Sequence, residues 1–156
     1  MLLTIEKVLL LKRVPMFATT AENSLIGIAG ALEEMELTAG DGLMRQGEIG
    51  SSLYIVVEGA VGVEIDGRHV DTVGAGDVVG ELAALDPQPR TATVRALADC
   101  RLLSLEREPL FELMSERPDV MQGVVRFLIR RYGRRSSTAA SEHQAATGVA
   151  VPDSSA

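Results

Sequence analysis

Tryptophan is absent, and Lys7 and Lys12 are the only lysines in 156 residues. That excludes a Gly-Lys-Ser/Thr phosphate loop and any lysine-based covalent chemistry beyond residue 12. The two histidines, His69 and His143, stand far apart and fit no metal-ligand spacing. A metal-dependent β-barrel enzyme, which needs clustered histidines, is thereby the weakest reading. No Gly-x-Ser-x-Gly elbow occurs either, so no catalytic role and no cofactor are expected. Cys100 is the single cysteine. It excludes an internal disulfide, fits a reducing compartment, and in its apolar stretch reads as a buried inert thiol. The longest apolar stretch, residues 2–13, is too short to span a bilayer. It also lacks a positive n-region and a cleavage site. The expected location is cytoplasmic, without direct membrane insertion.

Aromatic residues make up only 3% of a chain that is 46% hydrophobic, so the core must be aliphatic. The length fits one domain able to bury such a core. A net charge of −7 argues against a nucleic-acid partner, whose footprint is a basic surface. It also means that a small anion can be held only where positive charge is concentrated locally.

The chain begins with a strongly apolar segment, 2–13, which reads as a helix with more than one apolar face. It either docks on its own body or meets a partner: a second copy in a homodimer, or an upstream domain. Val14-Pro15-Met16-Phe17 breaks it. Thr19 and Glu22 have the spacing of a capping box for a second helix, with an apolar stripe at Leu25, Ile28, Ala29, Leu32 and Met35. From 36 to 106 the texture is β. Ten of the fifteen glycines lie between Gly40 and Gly80, which implies frequent tight turns. Leu53, Ile55 and Val57 alternate, as do Val61, Val63 and Ile65, and Asp66-Gly67 is a hairpin turn. Short strands at this spacing predict an antiparallel jelly roll. Two helices follow. The first spans 106–115 with Leu110, Phe111 and Met114 inward. The second opens at Pro118 and runs to about Tyr132, with Val120, Val124, Phe127, Leu128 and Arg131 on one stripe and Gly133 as its stop. Arginines crowd its end (Arg126, Arg130, Arg131, Arg134, Arg135), where cations are favourable. The domain is thus expected over 1–135: helices 2–34, roll 36–106, helices 106–132. Residues 136–156 lack Leu, Ile, Phe, Tyr and Trp and are expected to be disordered. They are too short for a helix-turn-helix unit.

The most informative stretch is Gly80-Glu81-Leu82-Ala83 followed by Arg90-Thr91-Ala92-Thr93. Gly80 allows close backbone approach. Residues 81–85 suit one turn of helix, whose starting N–H groups attract phosphate. Pro87 and Pro89 end that turn. Arg90 offers a planar fork of donors suited to phosphate oxygens. The two halves resemble the phosphate-binding cassette of the cyclic-nucleotide-binding domain family, Gly-Glu-Leu/Ile-Ala and then Arg-Ser/Thr/Ala-Ala-Thr at similar spacing. Gly47-Glu48-Ile49-Gly50 also resembles the family's glycine turn. The sequence departs from the family at Ser51, usually Asp, and at Val79, usually aromatic, which bears on affinity more than on fold.

The resemblance, which covers about residues 15–132, implies a β-roll with N-terminal helices and two C-terminal helices. It implies a regulatory sensor whose ligand is cyclic AMP or cyclic GMP. Arg90 would hold the cyclic phosphate and Glu81 the ribose 2′-hydroxyl. Gly80, Leu82 and Ala83 would offer backbone N–H groups. The implied contact set is Val79, Gly80, Glu81, Leu82, Ala83, Arg90, Thr91 and Ala92. Thr91 can accept from the guanine 2-amino group, yet members with Ser or Thr here also bind cyclic AMP, which is the favoured ligand. Val124, Leu128 and Arg131 on the last helix are the expected cover for the base. The alternative is the same fold with an empty pocket, used for docking or dimerisation through the 2–13 helix.

Overall fold

The computed structural model describes residues 1–133. Arg134, Arg135, His143 and the tail 136–156 lie outside the described residues. Two helices, α1 (Thr4–Leu11) and α2 (Glu22–Ala31), lead into the strands. These are β1 (Glu33–Leu37), β2 (Gly42–Met44), β3 (Ile49–Gly50), β4 (Ser52–Glu58), β5 (Ala60–Ile65), β6 (Arg68–Gly74) and β7 (Val78–Val79). The short helix α3 (Glu81–Leu85) interrupts them before β8 (Gln88–Pro89), β9 (Thr93–Ala96) and β10 (Cys100–Glu106). Helices α4 (Arg107–Glu116) and α5 (Pro118–Tyr132) close the described chain. The strands form two antiparallel sheets, β1-β10-β4-β7 and β2-β9-β5-β6, with β3-β8 as a short separate pair. This is the expected β-roll with flanking helices.

The β5–β6 hairpin turns at Asp66-Gly67 with φ of +53° and +80°, the paired positive values that a type I′ turn requires. Gln46 clamps that turn, donating to Asp66 Oδ1 at 3.1 Å and accepting from the Asp66 N–H at 2.9 Å.

Two apolar cores share β4 and β10. Leu53 and Ile55 of β4 and Leu103 and Leu105 of β10 face the helices, packing with Leu11, Phe17, Leu25, Ile28, Leu110 and Val124. Val56, Cys100 and Leu102 face the roll interior with Val61, Val73, Val79 and Val94. Helices cover the outer face of these strands, so both faces are buried and simple in–out alternation is lost there. The Cys100 thiol is buried, and its single S–H has the carbonyls of Ala60 and Ala98 within hydrogen-bond reach. No helix among the described residues is long and apolar enough to cross a membrane.

Several local expectations are corrected. The first helix is shorter than 2–13 and docks on the chain's own body through Val8 and Leu11, leaving Leu3, Ile5 and Leu9 exposed. Met35 lies on β1 and packs against the roll interior instead of extending the α2 stripe. Phe111 is exposed, because the inward face of α4 runs through Leu110, Leu113 and Met114. Thr19 and Glu22 form no capping box: α2 starts after Ala21, and Thr19 Oγ1 accepts from Arg126 Nη1 at 2.7 Å.

The α2 start is instead served from α5. Asp119 accepts from the Ala21 N–H at 3.0 Å and from Ser24 Oγ at 3.1 Å, which satisfies an end that would otherwise lack partners. The Ala21 N–H foremost, and the Ser24 hydroxyl after it, hold the Asp119 carboxyl below its ordinary value. A carboxyl depressed in the folded state stabilises the fold above its unfolded pKa, and that contribution is lost as pH falls through the folded pKa. Asp119→Ala should therefore cost about 1 kcal/mol at neutral pH, the usual size for a lost cap. Urea melts of parent and variant should converge as the pH is taken below the ordinary aspartate range.

Candidate functional site

The cassette is assembled from two chain segments that β3 and β8 bring together. Ile49 pairs with Pro89 and Gly50 with Gln88. The Arg90 N–H donates to the Glu48 carbonyl at 2.6 Å, and the Gly47 N–H donates to the Arg90 carbonyl at 2.8 Å. The backbone of Arg90 is thus fixed on both sides by the glycine turn at 47–50. Its side chain is only 6% exposed. Nη2 donates to the Ser52 carbonyl at 2.9 Å and Nη1 to the Gly80 carbonyl at 3.3 Å, while the Tyr54 ring lies 5.9 Å from Cζ.

Two glycines make room for that guanidinium. A Cβ on Gly50 would stand 2.0 Å from Arg90 Nε, and one on Gly80 would stand 2.7 Å from Nη1. Gly80 also adopts φ +82°, a conformation that only glycine takes readily.

Among the described residues no carboxylate forms an ion pair with Arg90. Burial is the largest influence on it and pushes its pKa down from the ordinary arginine value, against the opposing pull of Tyr54, Glu106 and Glu48. It stays charged all the same, since arginine does not lose its proton in proteins. Position 51 explains the missing partner. Ser51 Oγ donates to Glu106 Oε2 at 2.9 Å and Ser52 Oγ donates to Glu106 Oε1, while the carboxylate of the turn itself, Glu48, accepts from the Arg45 N–H at 2.9 Å.

Arg90 opens onto a cavity of about 440 Å³, within the usual range for small-molecule sites. All eight residues of the expected contact set, Val79, Gly80, Glu81, Leu82, Ala83, Arg90, Thr91 and Ala92, line it. The rest of the lining from the strands, which sequence reasoning did not single out, is mostly aliphatic: Met44, Val63, Val73 and Val94 come from β2, β5, β6 and β9, with Asp71 of β6 as a carboxylate among them. Register places them on one face, since Val61 pairs with Val73, and Val63 pairs with both Asp71 and Val94.

The expected cover divides differently. Val124 is buried in the helical core and Leu128 packs against that same core, so neither lines the cavity. Arg131 does line it, and so does Tyr132, which sequence reasoning took only as a helix end. Tyr132 Oη donates to Glu81 Oε1 at 2.7 Å. Arg131 Nε stands 3.7 Å from the same oxygen, while its Nη1 lies 3.4 Å from Asp77 Oδ1. Glu81, 6% exposed, is therefore the junction between the cassette and the end of α5. Its position one turn beyond Leu128 was the available signal for Tyr132.

A family model described as the cyclic nucleotide-binding domain matches residues 34–117. The chain belongs to the cyclic nucleotide-binding domain family. It is 28% identical over 136 residues to a CRP-like cAMP-activated global transcriptional regulator of Mycobacterium tuberculosis, covering 84% of this chain and 61% of that one. The chain thus spans about three fifths of the regulator's length. Among solved structures, the N-terminal domain of a transcriptional regulator from Streptomyces coelicolor superposes with a TM-score of 0.69 at 35% identity, covering 78% of this chain and 91% of that one. The regulatory domain of Toxoplasma gondii PKA, crystallised with cAMP, gives 0.64 at 33% identity, covering 70% and 44%.

Gly50 offers a test of the candidate site. Its φ is not in the left-handed region, so Gly50→Ala adds a methyl without backbone strain. The nearest atoms belong to the buried Arg90 guanidinium, which must give up its bond to the Ser52 carbonyl, so stability should fall by about 1–3 kcal/mol. If the cavity takes a cyclic nucleotide through Arg90, its affinity should drop about tenfold as the fork leaves Ser52. Urea melts paired with calorimetric titration check the split between the two effects.

Proposed function

We propose that this domain is a sensor that binds a cyclic nucleoside monophosphate, with cyclic AMP the favoured ligand, and reports occupancy through α5. The observation that carries the reading is Arg90: a buried guanidinium on a cavity wall, held by two carbonyls and paired with no carboxylate. A buried charge is tolerated only when it is compensated, and a monoanionic cyclic phosphate supplies one negative charge. The ligand's apolar purine face suits the wall of Met44, Val63, Val73 and Val94. Glu81 accepts from the ribose 2′-hydroxyl. Because Tyr132 and Arg131 contact the same carboxylate, filling the cavity changes what α5 touches, and a ligand shifts an equilibrium only through such differential contacts.

The choice of cyclic AMP is supported by the mycobacterial regulator, described as cAMP-activated, and by the Toxoplasma domain crystallised with cAMP. Thr91 also lines the cavity, and its hydroxyl is the group that would accept from a guanine 2-amino group. In this reading the domain is a binding module and not an enzyme.

The second reading, a docking module without a ligand, is favoured by the outward face of α1. Ile5 and Leu9, one turn apart, are both more than half exposed, as a contact for a second copy or an upstream domain would require.

Calorimetric titration of parent and Arg90→Ala with cyclic AMP and cyclic GMP separates the two. The sensor reading expects micromolar binding by the parent. It expects a loss of about 2–5 kcal/mol on truncation of a desolvated charge partner, roughly thirtyfold to several thousandfold. Silence of the parent at millimolar ligand, or an Arg90→Ala protein that binds as tightly as the parent, overturns it.

A further inference from the structure

The junction of β10 and α4 carries a second arginine contact, part-buried, that the cassette motif does not include. Arg107 is the first residue of α4. Its Nε donates to the Ala84 carbonyl at 3.1 Å, and its Nη2 donates to the carbonyls of Gly50, at 3.3 Å, and Ala83. Its own N–H donates to the Ser51 carbonyl at 2.9 Å. The preceding residue, Glu106, accepts from the hydroxyls of Ser51 and Ser52. One dipeptide therefore grips the segment 50–52 from outside the roll, while Arg90 grips it from the cavity side through Ser52 and against Gly50.

A five-residue helix needs this support. Within α3 only a few backbone bonds close, among them Ala84 N–H to Gly80 and Asp86 N–H to Leu82. The last carbonyls of any helix have no partner inside it, and an isolated single turn is not stable in water. Arg107 supplies charged donors to two of those carbonyls with one planar fork.

We propose that Arg107 is a positioning residue for the cavity: its guanidinium ties the last turn of α3 to β3 and to the start of α4, and so sets where the cassette stands relative to Arg90. The same fork makes α4, and α5 beyond it, move with the cassette. It touches no ligand, since it does not line the cavity. The affinity part of this inference rests on the cyclic-nucleotide reading. The part about α3 does not.

The test uses the full chain with Arg107→Gln, which removes the fork and the charge, and Arg107→Lys, which keeps the charge without the fork. In the absence of ligand, hydrogen exchange of the Ala84 and Asp86 amides should speed up about tenfold in Arg107→Gln, as expected for losing charge-assisted bonds. Amides of α1 and α2 should be unchanged. Arg107→Lys should fall between parent and Arg107→Gln, and it serves alone if the Gln variant does not fold. Cyclic AMP or cyclic GMP affinity should follow the same order, with Arg107→Gln about tenfold weaker. Unchanged exchange at 84 and 86, or an equal rise across the whole chain, overturns the proposal, because the residue then acts only through its charge or through general stability. If the parent binds neither nucleotide, the sensor reading fails, while the exchange order still decides the role of Arg107.

Discussion

A guanidinium buried against two backbone carbonyls, with no carboxylate to neutralise it, is the constraint on which the rest of this site depends. Two carbonyl oxygens hold Arg90 but carry no full charge, and Glu106 and Glu48 offset its burial without pairing with it, so an anion in the cavity would supply the close partner that is missing. Around it the chain gives up side chains. Gly50 and Gly80 clear the space, and the turn at 47–50 fixes the Arg90 backbone on both sides. The departure at position 51 sharpens the effect. A serine there turns to Glu106, and among the described residues no carboxylate comes within ion-pair distance of Arg90.

Around that centre lies a chain of polar contacts into the helices. On one side, Glu106 and Arg107 link the segment 50–52 and the end of α3 to α4. On the other, Tyr132 and Arg131 bring the end of α5 to Glu81 and Asp77. Between these ends, α4 and α5 pack on an aliphatic core that includes Leu110, Val120, Val124 and Phe127. Such a pair moves more readily as a unit than by local distortion, because close-packed interiors resist continuous deformation. In the proposed sensor, the polar contacts at both ends of the pair would decide which position it takes.

What was legible in the sequence was local in the chain. The cassette, the Asp66-Gly67 hairpin, the opening of α5 at Pro118 and its stop at Gly133 each depend on residues within a few positions of one another. The missed features depend on distant partners. The cap of α2 comes from Asp119, 98 residues away from Ala21, and no capping pattern near Thr19 could announce it. Met35 continues the helical period of the α2 stripe in sequence, but the chain has already turned into β1, whose pairing with β10 takes it to the other core. Phe111 lost its inward place to Leu113, which packs 3.1 Å from where a Cβ on Gly27 would stand, so a glycine on another helix chose the face. The stripe on α5 was read correctly as apolar. That Val124 and Leu128 serve the helical core while only the last turn reaches the cavity depends on where α5 crosses the roll. Periodicity fixes a face, not a crossing point.

Hydrogen exchange across the described chain, with and without saturating cyclic AMP or cyclic GMP, tests the account most directly. A nucleotide held by Arg90 and Glu81 predicts clear protection over residues 80–92, accompanied by changed exchange over 118–132 as Tyr132 and Arg131 exchange contacts at Glu81. Unaltered exchange at 80–92 under saturating ligand would contradict the central claim that this buried arginine awaits a cyclic phosphate. Protection there with no change along α5 would leave the site standing and remove the helix as its reporter.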